Sequence, residues 1–140
     1  MLFRSMKISD TPRVNELLRQ VGSADFVPPS RWWFLTRLFL PTFHIFALED
    51  DSRAIVSTVC FNRMPNPKYN WRGYIDYVVV DKSHRRRGFG RRIMESTLVE
   101  AKKFGCREVL LSTSHSEAQA LYKSLGFKVK TTSVLMRFTS

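Results

Sequence analysis

Apolar positions along the first half of the chain mark alternating strands and helices. Leu2 to Ile8 opens as a strand. Ser9-Asp10-Thr11-Pro12 is a helix-start signal, with Ser9 or Asp10 as the cap and Pro12 in the first turn. Val14, Leu17, Leu18 and Val21 then recur at helical spacing until Gly22. Ser30 caps a second predicted helix through Trp32, Trp33, Leu35, Leu38 and Phe39, stopped by Pro41. His44 to Leu48 and Ala54 to Asn62 form a hairpin across the polar turn Glu49-Asp50-Asp51-Ser52. Arg63 to Gly73, with two Pro and two Asn, reads as a loop. Tyr74 to Val80 is a strand rich in β-branched and aromatic residues.

The second half continues the alternation. Ile93, Met94, Leu98, Ala101 and Phe104 make one apolar helix face, and Gly105 is placed to end it. Arg107 to Ser112 is a further strand. Ser114-His115-Ser116-Glu117 has capping-box form, Ala118, Leu121, Tyr122 and Leu125 follow at helical spacing, and Gly126 closes that helix. Phe127 to Lys130 and Ser133 to Phe138 are two final strands joined around Thr131-Thr132. The order β-α-α-β-β-β-α-β-α-β-β predicts an α/β fold: one mixed sheet with helices on both faces, residues 1–140 forming a single domain.

Composition narrows the chemistry. A chain of 140 residues, 44% hydrophobic, suits one core. Cys60 and Cys106 lie far apart, and His44, His84 and His115 show no ligand spacing, so neither a disulfide framework nor a metal site is expected. Polar interruptions at Thr36, Arg37, Pro41, Thr42 and His44 rule out a membrane span in the longest apolar stretch. Met1 to Leu18 lacks a secretory signal, and a reducing, cytoplasmic location is expected. The net charge of +11 favours an anionic partner: nucleic acid, an acidic membrane surface or a phosphorylated ligand. The charge is concentrated at Arg85, Arg86, Arg87, Arg91 and Arg92.

That block lies between a strand and a helix. A glycine-bearing turn opening a helix exposes backbone N–H groups that no helical carbonyl satisfies. Those donors and the helix dipole suit a phosphate or pyrophosphate, Gly88 and Gly90 permit close approach, and the arginines add charge-assisted hydrogen bonds. The sequence is not a P-loop, and a dinucleotide fingerprint would need glycine where Ile93 stands.

Arg85-Arg86-Arg87-Gly88-Phe89-Gly90 does resemble the acetyl-CoA loop of the GCN5-related N-acetyltransferases, Gln/Arg-x-x-Gly-x-Gly/Ala, with Val78-Val79-Val80-Asp81 preceding it. A second motif of that family, Asn-x-x-Ala-x-x-Leu-Tyr-x-x-x-Gly-Phe, is matched by His115 to Phe127 except that His115 replaces Asn. The resemblance is specific from Tyr74 to Phe127 and looser elsewhere.

The resemblance implies a direct acetyl transfer from acetyl-CoA to an amine, without a metal or an acetyl-enzyme. It assigns the pantetheine to the strand Val78, Val79 and Val80, and the developing oxyanion to a backbone N–H near Val78. It assigns the pyrophosphate to the loop of Arg85, Arg86, Arg87, Gly88, Phe89, Gly90 and Arg91. Tyr122 matches the acid that protonates the leaving thiolate, and His115 stands where a cofactor-bonding Asn is usual. Asp76 stands where relatives carry a Glu that acts as base, here through a bridging water because Asp is shorter. The alternatives are a core tyrosine at 122, a surface carboxylate at 76, and a solvent-exposed histidine at 115.

The acceptor stays open. Arg31, Trp32, Trp33, Arg37 and Phe39 form an aromatic and basic segment suited to an acidic or phosphorylated amine, with plain packing the alternative for Trp33 and Leu38. Tyr74 to Val80 resembles the corresponding strand of glucosamine-6-phosphate N-acetyltransferases, but Tyr77 stands where a second acidic residue is usual. Small amines, polyamines and protein amines are further options, and a second copy of the chain is one way to complete the acceptor side as a homodimer. A different class is a nucleic-acid-binding module that keeps the fold without catalysis. No basic helix with interleaved stacking aromatics supports it.

Overall fold

Antiparallel pairing of long strands carries most of the sheet. The computed structural model describes residues 1–130 and 136–140. Its elements are β1 (Leu2–Ser5), α1 (Thr11–Arg19), α2 (Arg31–Arg37), β2 (Phe43–Glu49), β3 (Ile55–Asn66), β4 (Asn70–Val80), α3 (Phe89–Lys103), β5 (Cys106–Leu110) and α4 (Ser116–Ser124). The five strands lie in sequence order, antiparallel except for the parallel pair β4–β5. No described helix is long and apolar enough to cross a membrane.

Period-2 alternation along the strands splits the apolar residues between two cores. Ile45 and Ala47 of β2 pack with Val14, Leu17 and Leu18 of α1 and Phe34 of α2. Phe46 and Leu48 of the same strand turn to the other face, with Ile93, Met94 and Ala101 of α3. Tyr122 of α4 and Leu125, just past its end, pack against this second core.

The order expected from sequence holds through α4, with corrections to its details. Arg63 to Gly73 is not a loop: β3 and β4 pair as far as Asn66 and Asn70. The Asn66 side-chain oxygen accepts the N–H groups of Lys68 and Tyr69 at 3.0 Å each and closes the turn. Beyond Arg63, β3 has left β2, and such an edge tolerates Pro65. Ser114 does not cap α4; His115 occupies the cap position without a side-chain bond. Asp10 likewise does not cap α1, because Arg4 and the Lys7 N–H engage its carboxylate. Ser30 does cap α2, accepting the Trp33 N–H at 3.1 Å. Residues 127–130 carry no strand, and the expected strand from Ser133 lies partly outside the described residues.

One irregularity in β4 decides where the site falls. Cys60 of β3 pairs with Asp76, yet Thr58, two residues earlier, pairs with Val79, three residues later. One extra residue therefore sits in β4, and Tyr77 takes the left-handed φ of 49°. Such a bulge flips the faces beyond it. Ile75 belongs to the α3 core, whereas Val79 belongs to the α1–α2 core and Val78 and Val80 pack on the α3 side.

Candidate active site

Beyond the bulge the sheet opens. β4 and β5 pair from Asn70 to Tyr74 and from Cys106 to Leu110, and their pairing stops there. The strands then part around a cavity of about 530 Å³. Ile75, Asp76, Tyr77 and Val78 line one side; Leu111 to His115, Ala118 and Tyr122 line the other. Parallel strands that separate leave backbone polar groups without ladder partners, which a bound molecule can satisfy.

Past the C-terminal end of β4, on the same side as the gap, the arginine loop enters α3. Gly88 holds the cap position at φ 83°, a conformation that disfavours side chains, although a Cβ there would meet no atom within 4 Å. The first helical bond runs from the Arg92 N–H to the Gly88 carbonyl. The N–H groups of Phe89, Gly90 and Arg91 thus precede the helical ladder and are free for an anion. Gly90 has a different reason: a Cβ there would touch Leu121 and Val80 at 3.5 Å. That glycine lets α4 lie close to α3, with room for alanine and little more.

The loop's arginines also tie the two helices together. Arg86 reaches Glu117 of α4 at 3.2 Å, and Arg91 donates to the Ser124 hydroxyl at 2.6 Å. Arg85 donates to the Val80 carbonyl at 3.3 Å, and Arg87 lies over the Phe89 ring. Arg85, Arg86 and Arg87 remain exposed, so exchange of these weak contacts for phosphate is inexpensive.

The structure brings Tyr122, Asp76, Val78 and His115 onto one cavity, while Val79 is buried in the α1–α2 core and Val80 lies beside Gly90. Tyr122 is half-buried, edge-on to Phe127. Burial raises its phenol pKa, which keeps its proton in place at neutral pH. Asp76 is exposed, and one carboxylate oxygen accepts the Tyr77 N–H at 3.0 Å, bracing the bulge. The His115 ring is exposed and makes no capping bond. Cys60 lies behind Asp76 on β3; burial, helped by the Asp76 charge, pushes its thiol up to about 12. That thiol is no nucleophile at neutral pH.

A network that sequence reasoning missed holds the loop to α1. The Asp81 carboxylate, just before the arginine block, accepts from Arg13 of α1, from Gln20 at 3.4 Å and from the Ser83 N–H at 3.2 Å. Gln20 in turn accepts the Lys82 N–H at 2.9 Å. The Arg13 hydrogen bond holds the Asp81 carboxyl well below the usual carboxylate range. No local motif announces a pair 68 positions apart. Also missed was a second cavity, of about 200 Å³, between α1, α2 and the sheet, which shares Asp76 and Tyr77 with the first.

This geometry has known counterparts. The model of the Acetyltransferase (GNAT) family matches residues 12–127, and the chain belongs to that family. It is 41% identical over 58 residues to N-alpha-acetyltransferase 30 of Dictyostelium discoideum, a stretch covering 40% of this chain and 31% of that protein. It is 34% identical over 77 residues to N-alpha-acetyltransferase MAK3 of Arabidopsis thaliana, covering 54% of this chain and 40% of that protein. The aligned stretch spans less than half of either relative's length. The fold also matches the crystal structure of glucosamine-6-phosphate N-acetyltransferase from Arabidopsis thaliana, with a TM-score of 0.81 over 99% of this chain and 98% of that one. At 24% identity this is a likeness of fold.

Proposed function

We propose that the protein is an N-acetyltransferase that moves an acetyl group from acetyl-CoA to a primary amine by direct attack. The observation that carries this reading is the parting of β4 and β5 beyond Tyr74 and Leu110, between an anion-binding helix start and a protonated tyrosine. The residues fit the cofactor: N–H groups of Phe89, Gly90 and Arg91, with Arg85, Arg86 and Arg87, suit the pyrophosphate, and the cavity along Asp76 to Val78 suits the pantetheine arm. Acetyl-CoA would supply the acetyl group as a thioester, whose carbonyl carbon gains a bond to the amine nitrogen as its bond to sulfur breaks.

The chain's own groups handle charge and protons. Asp76 accepts a proton from the incoming ammonium through a bridging water, leaving a neutral amine. A backbone N–H at the bulge, near Val78, stabilises the developing oxyanion. The Tyr122 hydroxyl donates its proton to the departing sulfur. The inert Cys60 thiol favours direct attack over an acetyl-enzyme.

Calorimetric titration with acetyl-CoA tests the reading. Gly88→Glu forces a side chain into a left-handed position and adds negative charge at the helix start, so affinity falls roughly a hundredfold or more. Absence of binding to the native protein, together with nucleic-acid binding that survives excess coenzyme A, would overturn it.

A further inference from the structure

We propose that the acceptor amine carries an apolar group, an aromatic ring or branched aliphatic chain, close to its nitrogen, and that the second cavity receives it. The proposal rests on the acetyl-transfer reading and names its substrate class.

Leu18 of α1, Phe26, Trp33 and Phe34 of α2, and Phe43 and Ile45 of β2 line this cavity. Cys60, buried and protonated, adds a further apolar surface. A cavity of about 150 Å³ lined by Leu, Ile and Phe is large enough to bind benzene. The roughly 200 Å³ present here therefore suits one ring with its methylene, or a leucine-sized chain.

Electrostatics orient the occupant. Asp76 is the one carboxylate side chain among the described residues lining this cavity; Asn62 and Tyr77 add polar groups. Among the described residues no Lys or Arg lines it, so a phosphate or carboxylate inside would be desolvated beside a carboxylate with no cation of that lining to pair with. Arg37, expected together with Arg31 to greet an acidic acceptor, lies over Trp33 at 5.2 Å and bonds Thr36 on its own helix. An ammonium, by contrast, pairs with Asp76. Asp76 and Tyr77 line both cavities, so an amine held there faces the β4–β5 gap while its apolar substituent lies among the aromatic side chains. An apolar amine is thus the alternative to an acidic acceptor at the aromatic and basic segment. Trp33 and Phe34 line the cavity, and Trp32 and Phe39 face solvent.

The test is thiol release by the full chain with saturating acetyl-CoA and a series of amines: glycinamide, leucinamide, phenylalaninamide, phenethylamine and glucosamine-6-phosphate. Burial of the apolar group raises kcat/KM for phenylalaninamide or leucinamide roughly ten- to hundredfold over glycinamide. Equal rates for phenethylamine and phenylalaninamide point to a free arylalkylamine, and a preference for the amide to a peptide N-terminus; either supports the proposal. Glycinamide or glucosamine-6-phosphate performing as well as the apolar amines overturns it and leaves the acetyltransferase reading intact. Transfer to no amine overturns both. Trp33→Ala reduces the apolar preference without changing acetyl-CoA affinity; an undiminished preference in that variant also overturns the proposal. The ranking by the native protein stands even if the variant fails to fold.

Discussion

The two cavities that meet at Asp76 and Tyr77 are built by different means. The β4–β5 gap is largely a backbone construction: a bulge, two diverging strands and a glycine-opened helix. The neighbouring cavity is a side-chain construction, assembled from α1, α2, β2 and β3. Backbone geometry suits a ligand that never changes, because it is insensitive to most substitutions. A side-chain cavity can be re-lined one residue at a time, which suits the substrate that distinguishes one enzyme from another.

Substitutions can break or sharpen that contrast. The largest effect is expected at Asp81, which ties the backbone-built side to α1. Asp81→Ala leaves Arg13 without its partner and lowers stability by about 3 kcal/mol, read from denaturant unfolding. Because the folded-state pKa of Asp81 is depressed, its contribution is fully present above about pH 4 and is lost as the pH falls through the folded value. The Tm difference between native and variant protein therefore narrows in acid. Tyr122→Phe comes next: kcat falls roughly a hundredfold with acetyl-CoA affinity nearly unchanged in calorimetry. Unchanged turnover would return Tyr122 to a packing role. Asp76→Asn, at the junction, lowers kcat by roughly tenfold and alters the shape of the pH–rate profile; an unaltered profile removes the base role. The smallest effect belongs to Gly90→Ala. Its added methyl meets neighbours at ordinary contact distance, so acetyl-CoA affinity stays within about threefold of native. Set beside the severe loss expected for Gly88→Glu, this separates a glycine required by conformation from one required by space.

The same contrast explains what could be read from the sequence. The arginine loop and the His115 to Phe127 motif are contiguous, and their chemistry depends on local spacing, so both were legible. The cavity of α1, α2 and β2 was not, because Leu18, Phe34 and Ile45 converge from separate elements and each reads as ordinary core. Arg13 and Asp81 were silent for the same reason. Pro65 and Pro67 suggested a loop, but Asn66 closes a tight turn and the hairpin continues to it. The bulge was hidden by the apolar character of both faces of the strand. Tyr74 to Val80 is apolar at nearly every position, so no break in alternation marks the extra residue.

That extra residue gives β4 something like a reading frame. Upstream of Tyr77 the strand is in one phase; downstream it is in the other. Deleting Tyr77 is therefore a local trim that keeps the frame on both sides. It would restore regular alternation with Asp76 still opposite Cys60 and Val79 opposite Thr58, keep Val79 in the α1–α2 core and Val78 and Val80 on the α3 side, and remove only the kink at the mouth of the gap. A second inserted residue, not a lost one, would exchange the faces of the strand's last residues and unseat the arginine loop with them. At this point of the chain a deletion and an insertion are not equivalent: one straightens the strand, the other changes its phase.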